Sequence, residues 1–297
     1  MADVSIIIVS FNTKDLLREC LLSIKKSQTD GIRYEVIVVD NASADGSVDM
    51  VKEEFKDVIL VANKENLGFT KGNNIGIKKA QGRYILFLNS DTVVSPNTLS
   101  KMVEFMDEHR DAGTATCRVD LPNGKLDDSC HRGFPTPWRS FSHFSGLSKL
   151  FPRSTLFAGY NLTYLDLNTV HQVDSCSGAF MIVRRESGEE IGWWDEDFFW
   201  YGDDLDFCYR LKEKGWKIYF VPVVKILHYK GASGGIKKIS QHLTSATRET
   251  RIRATNARFD AMRRFYKKHY IHKYPAFVTW LVLFGIRLKH DLTLKSL

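Results

Sequence analysis

Short, nearly continuous apolar runs at residues 5–9, 35–39, 58–61 and 84–88 alternate with longer segments at 14–27, 47–55 and 70–79 that read as helices. Runs of the first kind suit strands buried on both faces, and the alternation predicts a mainly parallel sheet covered by helices. A further helix is expected near 96–109. From 121 to 169 the pattern loosens into a stretch rich in Gly, Pro, Ser and aromatics, which reads as an irregular insertion of the kind that shapes ligand binding beside a site. Regular patterning returns with a strand at 178–183, a helix at 203–214 and a strand at 217–220.

The run Leu86-Phe87-Leu88 ends abruptly in Asn89-Ser90-Asp91. A buried strand that stops there delivers a carboxylate to the carboxyl edge of the sheet, where open α/β sheets bind ligands. Polar residues also end strands without any function, but here the pattern repeats. Tyr34-Glu35-Val36-Ile37-Val38-Val39-Asp40 precedes it, the glycine and asparagine run from Asn66 to Gly76 lies between, and Asp203-Asp204-Leu205-Asp206 and His228 follow. Asp206 and Arg210, four residues apart, are expected to pair on a helix surface.

Gly231-Ala232-Ser233-Gly234-Gly235 reads as a flexible joint. Beyond it Ile252, Phe259, Met262, Tyr266 and Tyr270 recur on one helical face among basic residues. After Pro275, an apolar run over 276–286 is bounded by Arg287 and Lys289. It is shorter than the roughly 20 apolar residues a bilayer span needs, so it is expected either to lie in a membrane interface or to pack on the rest of the chain. The implied division is a catalytic domain over 1–230, with halves at about 1–110 and 111–230, and a basic helical extension over 231–297.

Composition sharpens this division. Residues 231–297 carry fourteen Lys or Arg against three acids, a local net charge of +11, which leaves −4 for the remainder. A basic tail on a mildly acidic body suggests an anionic surface as partner. No zinc-finger, helix-turn-helix or aromatic RNA-binding signature accompanies it, so membrane phospholipid is favoured over nucleic acid. The five cysteines include no C-x-x-C pair and suggest neither a disulfide framework nor a zinc site. A reducing cytoplasm is expected, because the chain enters a strand-like run at once without a basic leader.

Five segments in this order resemble the family-two inverting glycosyltransferases of the GT-A fold, most closely the branch that contains bacterial rhamnosyltransferases. They are the opening Val4-Ser5-Ile6-Ile7-Ile8-Val9-Ser10-Phe11-Asn12, then Val39-Asp40-Asn41-Ala42-Ser43, the Asn66 to Gly76 run, Asn89-Ser90-Asp91-Thr92, and Phe198-Phe199-Trp200-Tyr201-Gly202-Asp203-Asp204. The likeness runs from about Val4 to about Gly231.

The resemblance implies a GT-A domain with a helical extension, and roles for particular residues. Ser10, Asn12 and Asp40 would bind the nucleotide-sugar; the alternative for Asp40 is to cap the helix that follows, a job Ser43, Asp45 and Ser47 can fill without it. Asn66, Gly68, Lys71 and Asn74 would flank the diphosphate, where glycine lets backbone approach and a helix start favours anions. The segment is neither a Walker A loop nor a dinucleotide fingerprint. Relatives commonly hold a divalent ion with Asp-x-Asp. Here the pair is Asn89-x-Asp91, so Asp91 would carry the metal beside Ser90 and Asn89, with His228 completing the site. Mg2+ suits a single carboxylate plus phosphate oxygens, and Mn2+ becomes an alternative if His228 ligates. Asp204 inherits the general-base role from the acidic pair, with Asp203 beside it and Glu196 and Asp197 as reserves. Trp193, Trp194 and Trp200 are candidates for stacking on the acceptor sugar.

The activity implied is transfer of a sugar from a nucleotide-sugar, dTDP-rhamnose or a UDP-sugar, to a lipid-linked cell-surface polysaccharide precursor, at the inner face of the membrane. A sugar-phosphate nucleotidyltransferase would be expected to open with a glycine-rich phosphate loop, and Ser10-Phe11-Asn12-Thr13-Lys14 is not one. A non-catalytic membrane or glycan-binding protein requires the acidic pair to be structural.

Overall fold

A computed structural model describes residues 2–230 and 247–296; the glycine joint expected at 231–235 lies outside the described residues. The first half follows the expected alternation: β1 (Val4–Ser10), α1 (Lys14–Lys25), β2 (Tyr34–Asp40), α2 (Ser47–Glu54), β3 (Ile59–Ala62), α3 (Gly68–Ile77) and β4 (Tyr84–Leu88). These strands are parallel, in the order β3-β2-β1-β4. β1, β2 and β4 are buried almost throughout, as double-sided covering requires, whereas β3 is a partly exposed edge strand. Register brings the strand ends together. Ser10 stands opposite Asp40, and the β1–β4 pairing that starts at Val4 and Tyr84 runs on toward Ser10 and Ser90.

Beyond β4 the sheet becomes mixed. β5 (Thr92–Val94), α4 (Thr98–Glu108) and β6 (Ala112–Asp120) lead into the loosely patterned segment, which holds a 3-10 turn (Asp128–Cys130), α5 (Pro137–Phe144) and α6 (Leu147–Leu150). Then come β7 (His171–Gln172), β8 (Phe180–Arg184), α7 (Arg185–Glu190), α8 (Asp203–Glu213) and β9 (Lys217–His228). β8 lies antiparallel between β4 and β6. β9 runs eight residues past the strand expected at 217–220. Pro222 has no amide hydrogen for a ladder, and the β6 register steps there from Val221 to Lys225. That irregularity lets one strand leave the core and pair with β5, where His228 stands opposite Thr92.

α9 (Arg248–His269) and α10 (Ala276–Lys295) complete the chain. α9 is packed on the catalytic body: Phe265, Tyr266 and Tyr270 form a second core with Phe198 and Tyr209. The Asp206–Arg210 pair forms, but not on a helix surface. Asp206 is fully buried and accepts from Arg210 Nε at 2.7 Å, His269 Nε2 at 2.8 Å and Lys268 Nζ at 2.7 Å, which ties α8 to α9. α10 packs on α9 and leaves Phe277, Trp280 and Phe284 exposed. Among the described residues no helix is long and apolar enough to cross a membrane.

Candidate active site

A cleft of about 1000 Å3 opens where β1 and β4 end, and Ser10, Asn89, Ser90, Asp91, Asp203, Asp204 and His228 all line it. The first wall is tied together by hydroxyls: Thr13 Oγ1 lies 3.1 Å from Ser10 Oγ and 2.9 Å from Ser90 Oγ. Asp91, directly after β4, is nearly buried.

His228 arrives from the far end of β9. Its Nε2 is 3.2 Å from Asp91 Oδ1 and 3.4 Å from Asn89 Nδ2, while its Nδ1 is 3.1 Å from Asp127 Oδ2. Burial opposes charge on the ring, but the Asp91 carboxylate and the Asp127 hydrogen bond outweigh it and push the imidazole up to about 9. Asp127 is itself fully buried. Burial would raise it, yet the His228 hydrogen bond and the Lys230 ammonium hold its carboxyl well below the usual range. Asp127 also caps the 3-10 turn through Ser129 N at 2.9 Å.

This donor set fits a divalent cation. A metal-binding histidine commonly gives its other ring nitrogen to a carboxylate, which fixes the tautomer and aims the free nitrogen. Among the described residues no cluster of three or more His, Cys, Asp or Glu could hold a metal, so Asp91 and His228 would need substrate oxygens to complete a coordination sphere.

The acidic pair faces the same cleft from α8. Gly202, at φ +74°, turns the chain into the helix, and Asp203, Asp204 and Asp206 crowd its first turn, where the helix dipole favours anions. Arg132 Nη2 donates to both oxygens of Asp204 at 3.1 Å, and Asp204 Oδ1 also accepts from Leu205 N at 2.8 Å. Asp203 is more deeply buried. Burial and then the neighbouring Asp204 charge push its carboxyl well above the usual range.

The remaining candidates divide. Asp40 is buried; Oδ1 accepts from Ser43 N at 2.8 Å, while Oδ2 has no partner among the described residues and its neighbour Asn41 lines the cleft. Asn66 and Gly68 line the cleft too. A Cβ on Gly68 would come within 2.8 Å of Phe199 O, however, so the glycine admits the loop before α8 rather than a ligand. Asn12 is exposed and pins the next loop by accepting from Ala44 N at 2.8 Å. Lys71 is exposed on α3. Asn74, expected at the diphosphate, spends its amide on Trp194, donating to its carbonyl at 3.0 Å and accepting from its N–H at 3.2 Å.

Two of the three tryptophans are core residues rather than acceptor platforms. Trp194 is buried against Phe87 and Phe207, with ring centroids at 4.9 and 4.6 Å, and Trp193 packs over Gly188. Trp200 alone of the three lines the cleft, stacked on Tyr201. Glu196 bonds Asn74, and Asp197 pairs with Arg264. Sequence reasoning missed Asp127 and Arg132, both in the loosely patterned segment, as well as Lys230. The Asp127-x-Ser129 spacing suggests a turn cap, and nothing in the pattern marks Arg132.

Comparison with known proteins shows the family and the fold. Residues 5–192 match the family model described as Glycosyl transferase family 2. Rhamnosyltransferase WbbL of Escherichia coli K12 is 27% identical over 236 residues, covering 76% of this chain and 83% of that protein. N-acetylglucosaminyl-diphospho-decaprenol L-rhamnosyltransferase of Mycobacterium tuberculosis is 25% identical over 228 residues, 73% of each chain. Among solved structures, GalNAc-T7 with UDP, GalNAc and Mn2+ superposes with a TM-score of 0.59 at 17% identity, over 98% of this chain but 55% of that one. Staphylococcus aureus TarS 1–349 in complex with UDP gives 0.51 at 18% identity, over 90% and 72%. At such identities these likenesses show the fold, which is GT-A.

Proposed function

The chain belongs to glycosyl transferase family 2, and from that premise we propose that it transfers L-rhamnose from dTDP-rhamnose, with inversion, to a hydroxyl of a lipid-linked cell-surface polysaccharide precursor. Membership sets aside the nucleotidyltransferase and non-catalytic readings. One observation carries the rest: Asp91 with His228, and Asp203 with Asp204, reach one cleft from three separate stretches of chain. Two relatives bear rhamnosyltransferase names, and one of those names specifies a diphospho-decaprenol acceptor, which supports the donor and acceptor chosen.

In this mechanism Ser10, Asn66, Asn89, Ser90 and Asp40 hold the nucleotide. The acceptor hydroxyl lies at Asp204, which takes its proton as the oxygen bonds to the anomeric carbon and the bond to the diphosphate breaks. Asp203, raised by burial, keeps its proton and donates a hydrogen bond. A divalent cation, Mg2+ or Mn2+, held by Asp91 and His228 would neutralise charge on the departing diphosphate. Holding both reactants in line lowers the barrier further.

The same reading puts the enzyme on the anionic inner face of the cell membrane. Its support is the +11 charge of residues 231–297 and the exposed Phe277, Trp280 and Phe284 of α10, since basic residues near an anionic leaflet contribute about 1 kcal/mol each. Release of nucleoside diphosphate from a panel of donors tests the activity. Turnover of dTDP-rhamnose with an inverted product anomer is expected, and release from none of the donors overturns the reading.

A further inference from the structure

The cleft has a second half that the sugar-transfer chemistry does not use. Apart from Thr279, whose hydroxyl meets Tyr266 Oη at 3.2 Å, α10 is apolar all round over its first three turns. Val278, Leu281, Val282 and Ile286 line the cleft, while Phe277, Trp280 and Phe284 face outward. Across from them stand Phe141 and Phe144 of α5. Gly285 also lines this groove, and a Cβ there would meet nothing within 4 Å. Its lack of a side chain keeps the groove open.

Arg258 and Lys289 line this otherwise apolar half, and Arg253 lines the cleft beside Phe199, which packs on Gly68. Lys289 Nζ sits 3.3 Å from the centre of the Phe144 ring, and the Arg253 guanidinium lies 5.3 Å from that of Phe199. No acidic side chain forms an ion pair with any of the three among the described residues. Burial and the Arg258 charge pull the Lys289 ammonium below its usual range. Cations gathered without counter-charges beside an apolar groove suit an amphiphile with a polyanionic head.

We propose that this half of the cleft binds the carrier of the acceptor, an isoprenoid chain between α5 and α10 with its diphosphate on Arg258 and Lys289 and its sugar directed inward toward Asp204. The inference rests on the lipid-linked acceptor of the proposed function. It differs from membrane docking, because the inner face of α10 holds the chain while the outer face meets the bilayer.

The test is calorimetric binding of farnesyl diphosphate, inorganic diphosphate and farnesol to the full chain without divalent cation. Farnesyl diphosphate is expected to bind at least about tenfold tighter than inorganic diphosphate, a margin that burying two or three methylenes supplies. Gly285→Trp and Val282→Asp should each remove that margin, and Arg258→Gln should weaken both diphosphates but not farnesol. Metal-dependent dTDP binding by the same variants reports on their folding. Equal affinity for the two diphosphates in the unmutated chain overturns the proposal, whatever the variants do. So does unchanged farnesyl diphosphate affinity in a Gly285→Trp protein that still binds dTDP, or an equal loss in the outer-face variant Trp280→Ser. Failure of dTDP binding by the unmutated chain would instead count against the proposed transferase reaction.

Discussion

Asp127 Oδ2 lies 3.1 Å from His228 Nδ1, and this contact leaves the ring's other nitrogen 3.2 Å from Asp91. Supporting carboxylates of this kind typically contribute about 10- to 100-fold in metal affinity. Asp127→Asn is therefore expected to weaken Mg2+- or Mn2+-dependent dTDP binding by that factor, read by calorimetry, while metal-free dTDP binding stays the same. Unchanged metal dependence would reduce Asp127 to a turn cap.

Arg132 grips both oxygens of Asp204 at 3.1 Å and so sets where that carboxylate points. Arg132→Gln should lower turnover by about a hundredfold, the scale expected when a reacting group is displaced by about 1 Å, with metal-dependent dTDP affinity retained. Arg132→Lys should recover part of the turnover, since a single nitrogen of Arg132 makes both contacts to Asp204. Full activity in Arg132→Gln would remove Arg132 from the site's architecture.

Asp206 and His269 carry a stability prediction. Burial opposes ionisation of Asp206, but hydrogen bonds from His269 and Lys268 and the charge of Arg210 outweigh it and hold the carboxyl at about 2, below its usual 3.8. A depressed acid stabilises the fold above its unfolded value and loses that contribution as pH falls through the folded one. Asp206→Ala should cost about 3 kcal/mol at neutral pH, because it removes the buried carboxylate that partly buried Arg210 and buried His269 share and leaves both without their partner. The gap from the unmutated chain should narrow between 3.8 and about 2. Denaturant melts across that range measure it, and a gap independent of pH would show that packing alone is at stake.

Membrane attachment is best tested on the outer face of α10, because truncation before α9 would expose the second core of Phe198, Tyr209 and Phe265. Trp280→Ser with Phe284→Ser is expected to reduce co-sedimentation with anionic vesicles, and high salt to reduce it further. Equal pelleting of the double variant and the unmutated chain would exclude that face.

Much of the first half was legible, because β1, β2 and β4 are buried on both faces and so read as unbroken apolar runs that stop at Ser10, Asp40 and Asn89. Local pattern fails where long-range pairing decides. Pro222 marks the end of a strand by propensity, yet β9 continues past it to carry His228 to β5. Asp127 and Arg132 sit in a segment without periodicity, and only the folded chain brings them to His228 and Asp204. Trp193 and Trp194 mislead for the opposite reason: a large aromatic near an acidic motif looks the same in sequence whether it packs a core or faces a sugar.

The most direct test of the catalytic assignment is the rate of dTDP release from dTDP-rhamnose, with metal and a lipid-linked acceptor, by Asp204→Asn. A loss of about 10²–10⁴-fold, the usual scale for removing a general base, is expected alongside unchanged donor affinity. Near-normal turnover in a folded Asp204→Asn protein, with Asp203→Asn inactive, would contradict it and transfer the base to Asp203.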